Sequence, residues 1–317
     1  MPTLGIDFGG TLIKLGIIDD GRTLGTATLP AHAADGLARR LVDVERALGD
    51  LCRGQALSAR ECLGVGIGFP ATVDHALNRV LDEFRKYPDA VDINLSRWAR
   101  ERLGLPLVMD TDARLAAIGE WQHGAGKGCD SMVAIVLGTG IGTGVIMDGR
   151  VLRGCTGQAG ILGGHQTIDV DGPVCYCGNV GCAEAVASVD NALAQVRSTP
   201  DYAGSPLSRS SSVDFATLFE VARDGDPSAK RAVDWVVTRW AVVAVNLIHA
   251  YAPERVVIGG GIMRSADLIL PRIRDYVQRH ALAPKTLSVD VCAAQWGTEA
   301  ALLGADWLVR SSLNGRT

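Results

Sequence analysis

His165, Cys175, Cys177 and Cys182 fall within eighteen residues, spaced H-x9-C-x-C-x4-C, inside the stretch Gly157 to Glu184. Three thiols and an imidazole so close together supply what tetrahedral zinc needs, and Gly178 and Gly181 let the chain turn tightly around an ion. The plain alternative is a few buried cysteines beside a surface histidine. Chance rarely gives that spacing, so the stretch reads as a zinc site. Glu184, two residues past the last cysteine, would be held by the same knot, as an outer partner of the metal or as a substrate ligand.

Three other stretches could carry chemistry. At the N-terminus, Asp7-Phe8-Gly9-Gly10-Thr11 lies between two apolar runs. A Gly-Gly-Thr tip exposes backbone N–H groups and a hydroxyl able to hold phosphate oxygens, and Asp7 could bind Mg²⁺ directly or through water. A capped hairpin turn is the bland reading. Ser131 to Ile146, SMVAIVLGTGIGTGVI, repeats the design with Gly138, Thr139 and Gly140 at its tip. In LPLVMDTDARLAAIGEW, Asp112 sits where a strand gives way to a helix. It is either an N-cap or a general base aimed out of the strand end.

The elements that must position these residues follow from patterning. Leu4 to Asp7 and Leu12 to Ile18 form a hairpin, which excludes a P-loop or a dinucleotide fingerprint, since both open a helix. Asp35 to Cys52 is an amphipathic helix with Leu37, Leu41, Val44, Leu48 and Leu51 on one face. Leu63 to Phe69 is a buried strand, Phe84 to Pro88 a loop, Ile93 to Leu103 a helix, and Leu107 to Met109 a strand before a helix from Ala113 to Trp121. Ala185 to Val196 reads as a helix, Ser198 to Ser212 as a surface loop, and Lys230 to Ala252 as a long buried helix stopped by Pro253. Arg255 to Ile258 is a strand running into Gly259, Gly260 and Gly261, room for a flat group, with a helix from Ser265. Thr298 to Val309 is a last apolar-faced helix.

The chain has 317 residues, enough for two domains, and a formal charge of −4. No basic run suggests nucleic acid, the apolar runs are too short for a membrane span, and no signal peptide is seen. Eight cysteines, three of them in a metal pattern, then read as reduced thiols of a cytoplasmic protein. Cys52, Cys62, Cys129, Cys155 and Cys292 read as ordinary, partly buried residues.

Taken together, these segments resemble the ROK family (repressors, uncharacterised reading frames and sugar kinases) over nearly the whole chain. GIDFGGTLIK is similar to its first phosphate motif, LGTGIGTGVI to the second and VVIGGGI to its adenosine motif. GQAGILGGHQTI with CYCGNVGCAEAVAS resembles the signature G-x-x-G-x-A-G-E-x-G-H…C-x-C-G-x-x-G-C-x-E. The resemblance implies an α/β, actin-like ATPase or hexokinase-type (ribonuclease H-like) fold of two domains with duplicated β-hairpin phosphate clamps. The expected division is 1–115, with 298–317 packing back on it, and 116–297 with the zinc loop 165–182. It further implies glucokinase-like phosphoryl transfer from ATP to a sugar hydroxyl, usually the 6-hydroxyl, in a homodimer. Asp112 would be the base, with Thr111 beside the substrate. His165 would bind zinc through one ring nitrogen and face the sugar with the other, and Glu184 would accept a sugar hydroxyl. Asp7, Gly9, Gly10, Thr11 and Lys14 would lie near Mg²⁺ and the phosphates with Gly138, Thr139 and Gly140, and Gly259 to Gly261 near the nucleoside.

Departures are confined to the sugar side. Ile161 stands where the family has Glu, with an extra residue in Leu162-Gly163-Gly164, and Thr111 and Arg114 replace both Asn residues of N-D-A-N. Either the substrate is not plain glucose, or Thr111 and a neighbour substitute for the missing anchor. A family repressor would need a helix-turn-helix ahead of Asp7, for which there is no space. A sugar sensor without catalysis is the alternative kept. A zinc-organised interaction protein would leave both phosphate-type tips unexplained.

Overall fold

The computed structural model describes residues 1–82, 86–210, 212–282 and 288–315. Its strands are β1 (Thr3–Phe8), β2 (Leu12–Asp19), β3 (Arg22–Pro30), β4 (Val65–Phe69), β5 (Thr72–Asp74), β6 (Arg79–Asp82), β7 (Leu107–Thr111), β8 (Met132–Leu137), β9 (Ile141–Met147), β10 (Arg150–Val151), β11 (Arg255–Gly259) and β12 (Asp290–Ala293). The helices are α1 (Leu37–Gly54), α2 (Leu95–Trp98), α3 (Asp112–His123), α4 (Ala183–Val186), α5 (Val189–Ala194), α6 (Phe215–Arg223), α7 (Pro227–Tyr251), α8 (Ala266–His280) and α9 (Ala300–Leu313).

Two five-stranded sheets carry the same order, β3-β2-β1-β4-β7 and β10-β9-β8-β11-β12, and β5 and β6 form a separate hairpin. In the first sheet β1, β2 and β3 are antiparallel, while β4 and β7 join parallel to β1. The register pairs Asp7 with both Lys14 and Gly68. Strands β1 and β4 are buried throughout, as strands covered on both faces must be. On one face the core runs from Leu37, Leu41, Val44 and Leu48 of α1 to Ile6, Phe8, Ile67 and Phe69. Phe8, Phe69 and Tyr87 pack ring on ring, with centroids 5.4–5.6 Å apart, beneath the first hairpin tip.

The chain divides into two compact units, Met1–Ala134 with Thr143–Ile161 and Ala294–Thr317, and Ile135–Gly142 with Leu162–Ala293. The sequence reading cut the chain after residue 115; in the structure all of α3 stays with the first unit. The cause is its packing on α9. A side chain at Gly119 would meet the Ala300 carbonyl at 1.9 Å, and one at Gly304 the Leu115 carbonyl at the same distance. Buried Glu120 adds to the join by accepting from the amides of Ala125, Gln295 and Trp296.

Several expected elements are redrawn by side-chain capping. The helix read over 185–196 is two, because Ser188 caps α5 at the Asn191 amide while the Asn191 side chain holds the carbonyls of Ala185 and Val186. The helix expected from Ile93 starts at Leu95 behind the Asn94 cap and ends in π turns over Ala99–Leu103. α7 starts at Pro227, earlier than expected, because Asp226 caps it at the Ala229 amide. The loop read over 198–212 holds two 3-10 turns, Tyr202–Gly204 and Pro206–Arg209. Of the loop read as Phe84 to Pro88, Phe84 and Arg85 lie outside the described residues, as do Ser211, Arg316 and Thr317. α7 is long and apolar enough to cross a membrane by length and composition, with an 18-residue stretch of mean hydropathy 1.2, although 61 % of that stretch is buried inside the protein.

Candidate functional site

In the first unit the hairpin tip Gly9–Thr11 joins β1 to β2 and is partly open to solvent. The Gly9 amide bonds to the Leu12 carbonyl at 2.9 Å, and the Tyr87 hydroxyl donates to the Gly9 carbonyl at 2.8 Å. Asp7, 7 % exposed and one residue before the end of β1, forms a 3.0 Å ion pair with Lys14 across the hairpin. Burial raises the Asp7 carboxyl, and Lys14 pulls it back.

Asp112 lies close by. A side-chain carbon at Gly68 would sit 3.3 Å from the Asp112 Cα and 3.4 Å from Asp7 Oδ1, so the Asp112 backbone and the Asp7 carboxylate both flank this glycine. Asp112 is not the cap of α3. That role belongs to Thr111, whose hydroxyl accepts from the Arg114 amide at 3.4 Å, leaving the Asp112 carboxylate on the first helical turn. Burial pushes the Asp112 carboxyl up to about 7, the Asp7 charge adds to the rise, and Lys86, the Ala113 amide and Lys14 oppose it. Lys86 went unnoticed in the sequence. Its stem lies over Gly10, with Cε 3.3 Å from where a Gly10 side chain would begin. The nearby Arg114, 1 % exposed, pairs with Asp110 at 2.6 Å.

The second unit assembles the other candidates. Gly138, Thr139 and Gly140 form the tip between β8 and β9, closed by the Gly138 amide on the Gly140 carbonyl at 3.0 Å. Glu184 accepts from the Ile141 amide at 2.7 Å. A side chain on Gly140 would stand 2.1 Å from Glu184 Oε2, so any residue but glycine there must push the Glu184 carboxylate aside. Gly260, at φ 96°, lies so close to the Leu137 carbonyl that a Cβ would be 2.0 Å from it. Gly259 to Gly261 therefore border the tip that begins at Gly138.

His165, Cys175, Cys177 and Cys182 present donor atoms that all lie within 4.8 Å of one another. The Cys177 and Cys182 sulfurs are 3.7 Å apart, and His165 Nδ1 is 3.6 Å from the Cys175 sulfur. Tetrahedral bonds of about 2.3 Å to sulfur and about 2.0 Å to nitrogen would place such atoms roughly 3.8 and 3.5 Å apart. The donor set fits. The Asn179 amide reaches both the Cys182 sulfur and the His165 carbonyl at 3.3 Å, orienting two ligands. His165 Nε2 faces away from the cluster, 3.3 Å from the Tyr176 hydroxyl.

The ROK family sequence model matches residues 3–312. The chain belongs to the ROK family. It is 32 % identical to a glucokinase of Thermotoga maritima over 99 % of both chains, and 33 % identical to one of Streptomyces coelicolor over 97 % of both. The crystal structure of a ROK family glucokinase from Streptomyces griseus in complex with glucose and AMPPNP matches it with a TM-score of 0.82 at 30 % identity, covering 98 % of this chain and all of that one. The fold is accordingly the two-domain, actin-like or hexokinase-type α/β fold. Within this ROK chain Asp7, Lys14, Thr111 and Asp112 lie in the first unit, and Gly138 to Gly140, His165, Glu184 and Gly259 to Gly261 in the second.

Proposed function

We propose that the chain is an ATP-dependent kinase that phosphorylates a hydroxyl, the 6-hydroxyl, of a hexose or of an amino or N-acetylamino sugar. The observation that carries this reading is Asp112: a half-buried carboxylate on the first turn of α3, just past the end of β7, pushed up to about 7 and raised in part by the Asp7 charge. A sugar hydroxyl is a poor nucleophile, and a base whose pKa lies near the working pH is best placed to take its proton. Thr111, His165 and Glu184 would orient the sugar. The tips at Gly9 to Thr11 and Gly138 to Gly140 would hold the phosphates through backbone amides, and Gly259 to Gly261 would adjoin the nucleoside. Magnesium held at Asp7 would neutralise phosphate charge, and Lys14 and Lys86 would add to it. The four-ligand cluster would hold zinc with no open position, a structural role. The reading extends to a homodimer working in the cytoplasm.

The test is a screen of purified protein with Mg-ATP against hexoses, N-acetylhexosamines and polyols, followed by ADP release. Turnover with one sugar supports the kinase. None, with ATP still bound, would favour a sugar sensor. Preference for glucose above all others would remove Ile161 as a determinant of specificity.

Gly140→Ala tests the second tip. The added methyl must displace the Glu184 carboxylate and break its bond to the Ile141 amide. The KM for ATP is expected to rise about tenfold, the effect of losing one charge-assisted hydrogen bond. An unchanged KM would remove this tip from the nucleotide site.

A further inference from the structure

A buried cation network lies beside the sugar-side departures. Arg114 Nη1 pairs with Asp110 Oδ1 at 2.6 Å, and Arg153 takes the other carboxylate oxygen. The second end of the Arg114 fork leaves its own helix: Nη2 donates to the Gly157 carbonyl at 2.8 Å and to the Ala159 carbonyl at 2.9 Å. Thr143 holds the next carbonyl, that of Gly160, at 2.8 Å, and the Ala159 amide returns to the Arg153 carbonyl at 3.0 Å. Three carbonyls in four residues are thus fixed by side chains from α3 and β9, immediately before Ile161.

We propose that Arg114 is a positioning residue for sugar recognition: its planar fork holds the Gly157–Gly160 backbone in the shape that binds the sugar. This inference rests on the kinase reading above. Where Ile161 brings no carboxylate to grip the sugar, the segment before it adds to Thr111, His165 and Glu184 through its backbone, and backbone recognition needs a rigid segment. Only a guanidinium can serve Asp110 and two carbonyls together, because its donors point in fixed and different directions, whereas an ammonium is a point charge on a flexible stem. The neighbouring Asp112 is untouched by these bonds. Loosening the segment therefore affects sugar binding and spares the chemical step.

The test uses the full chain and two variants. Arg114→Lys keeps the charge against Asp110 but loses the fork, and the pair Asp110→Asn with Arg114→Asn removes both charges, so that no buried aspartate faces a neutral partner. In both, amide exchange over Gly157–Gly160 is expected to accelerate about tenfold, with sugar KM up about tenfold or more and kcat and ATP KM within about threefold, the loss of hydrogen bonds to a charged group. Unchanged exchange and unchanged sugar KM in either folded variant would overturn the proposal. So would a parallel fall in kcat for every substrate, the mark of a merely structural role. If the wild-type protein turns over none of the sugars, the kinase reading fails, while the exchange measurement still decides whether Arg114 holds the segment.

Discussion

Asp112→Asn is expected to lower kcat by about 10²- to 10⁴-fold, the usual worth of a general base, while the protein becomes more resistant to heat at pH 8. The two effects share one cause. Burial and the Asp7 charge raise the Asp112 carboxyl to about 7, which keeps a base poised near neutrality and makes its ionised form costly to bury. In the unfolded chain the carboxyl ionises near its ordinary value of 3.8. Between these values the folded state holds a proton that the unfolded state has lost, so stability falls as pH rises from about 4 to about 7. Above that window the full cost remains. Asparagine removes it, so the gain in melting temperature should be a few degrees at pH 8 and vanish near pH 4. In the wild-type enzyme kcat/KM should climb with pH through about 7 as Asp112 loses its proton. Lys86→Met should move this limb upward, because the Lys86 charge opposes the rise at Asp112. A variant that keeps full turnover, or one less stable than wild type at pH 8, would remove Asp112 from the base position.

What could be read from the sequence was what is local. Both hairpin tips, the metal spacing and the strand-to-helix step at Asp112 each lie within a few residues, where spacing and residue type suffice. The one-residue question at that step was not decidable, since Thr111 and Asp112 both make good caps and only the placed hydroxyl shows which one serves. The supports of the site are contacts across the chain. Tyr87 reaches Gly9 over 78 positions and Arg114 reaches Gly157 over 43, and neither tyrosine nor arginine carries a signal of its own. Arg114 stood out solely as a departure from N-D-A-N, which pointed to a difference without showing its purpose. The unread strands β3, β5, β6, β10 and β12 are short or have polar, exposed positions, so their alternation is too faint to separate from loop.

Removing the proposed zinc from the knot at His165 to Cys182 should be as damaging as removing the base, because the segment between its ligands buries few apolar side chains. Val170 is 80 % exposed, Val174 74 % and Tyr176 45 %, so its apolar side chains contribute little burial. Short bridges pair Thr167 with Cys182 and Val174 with Val180, and backbone bonds such as Ile168 to Gly181, Cys175 to Asn179 and Ala183 to Gln166 join the segment to itself without a layer of apolar packing beneath it. In small metal-bound domains the ion supplies about 10–16 kcal/mol, which is then folding energy. The consequence extends beyond the knot. His165 belongs to it, Glu184 follows it by two residues, and the Glu184 carboxylate holds the Ile141 amide at the second glycine tip. Stripping the metal with a strong chelator, or Cys182→Ser, is therefore expected to raise the KM for both sugar and ATP and to cut kcat/KM by at least about 100-fold. Amide exchange over 165–184 should accelerate, while exchange in β1, β4 and α1 stays slow. Metal analysis should find about one zinc per chain in the active protein. Full activity in protein shown to be metal-free would mean that hydrogen bonds alone, such as those of Asn179, hold His165 and Glu184 in place.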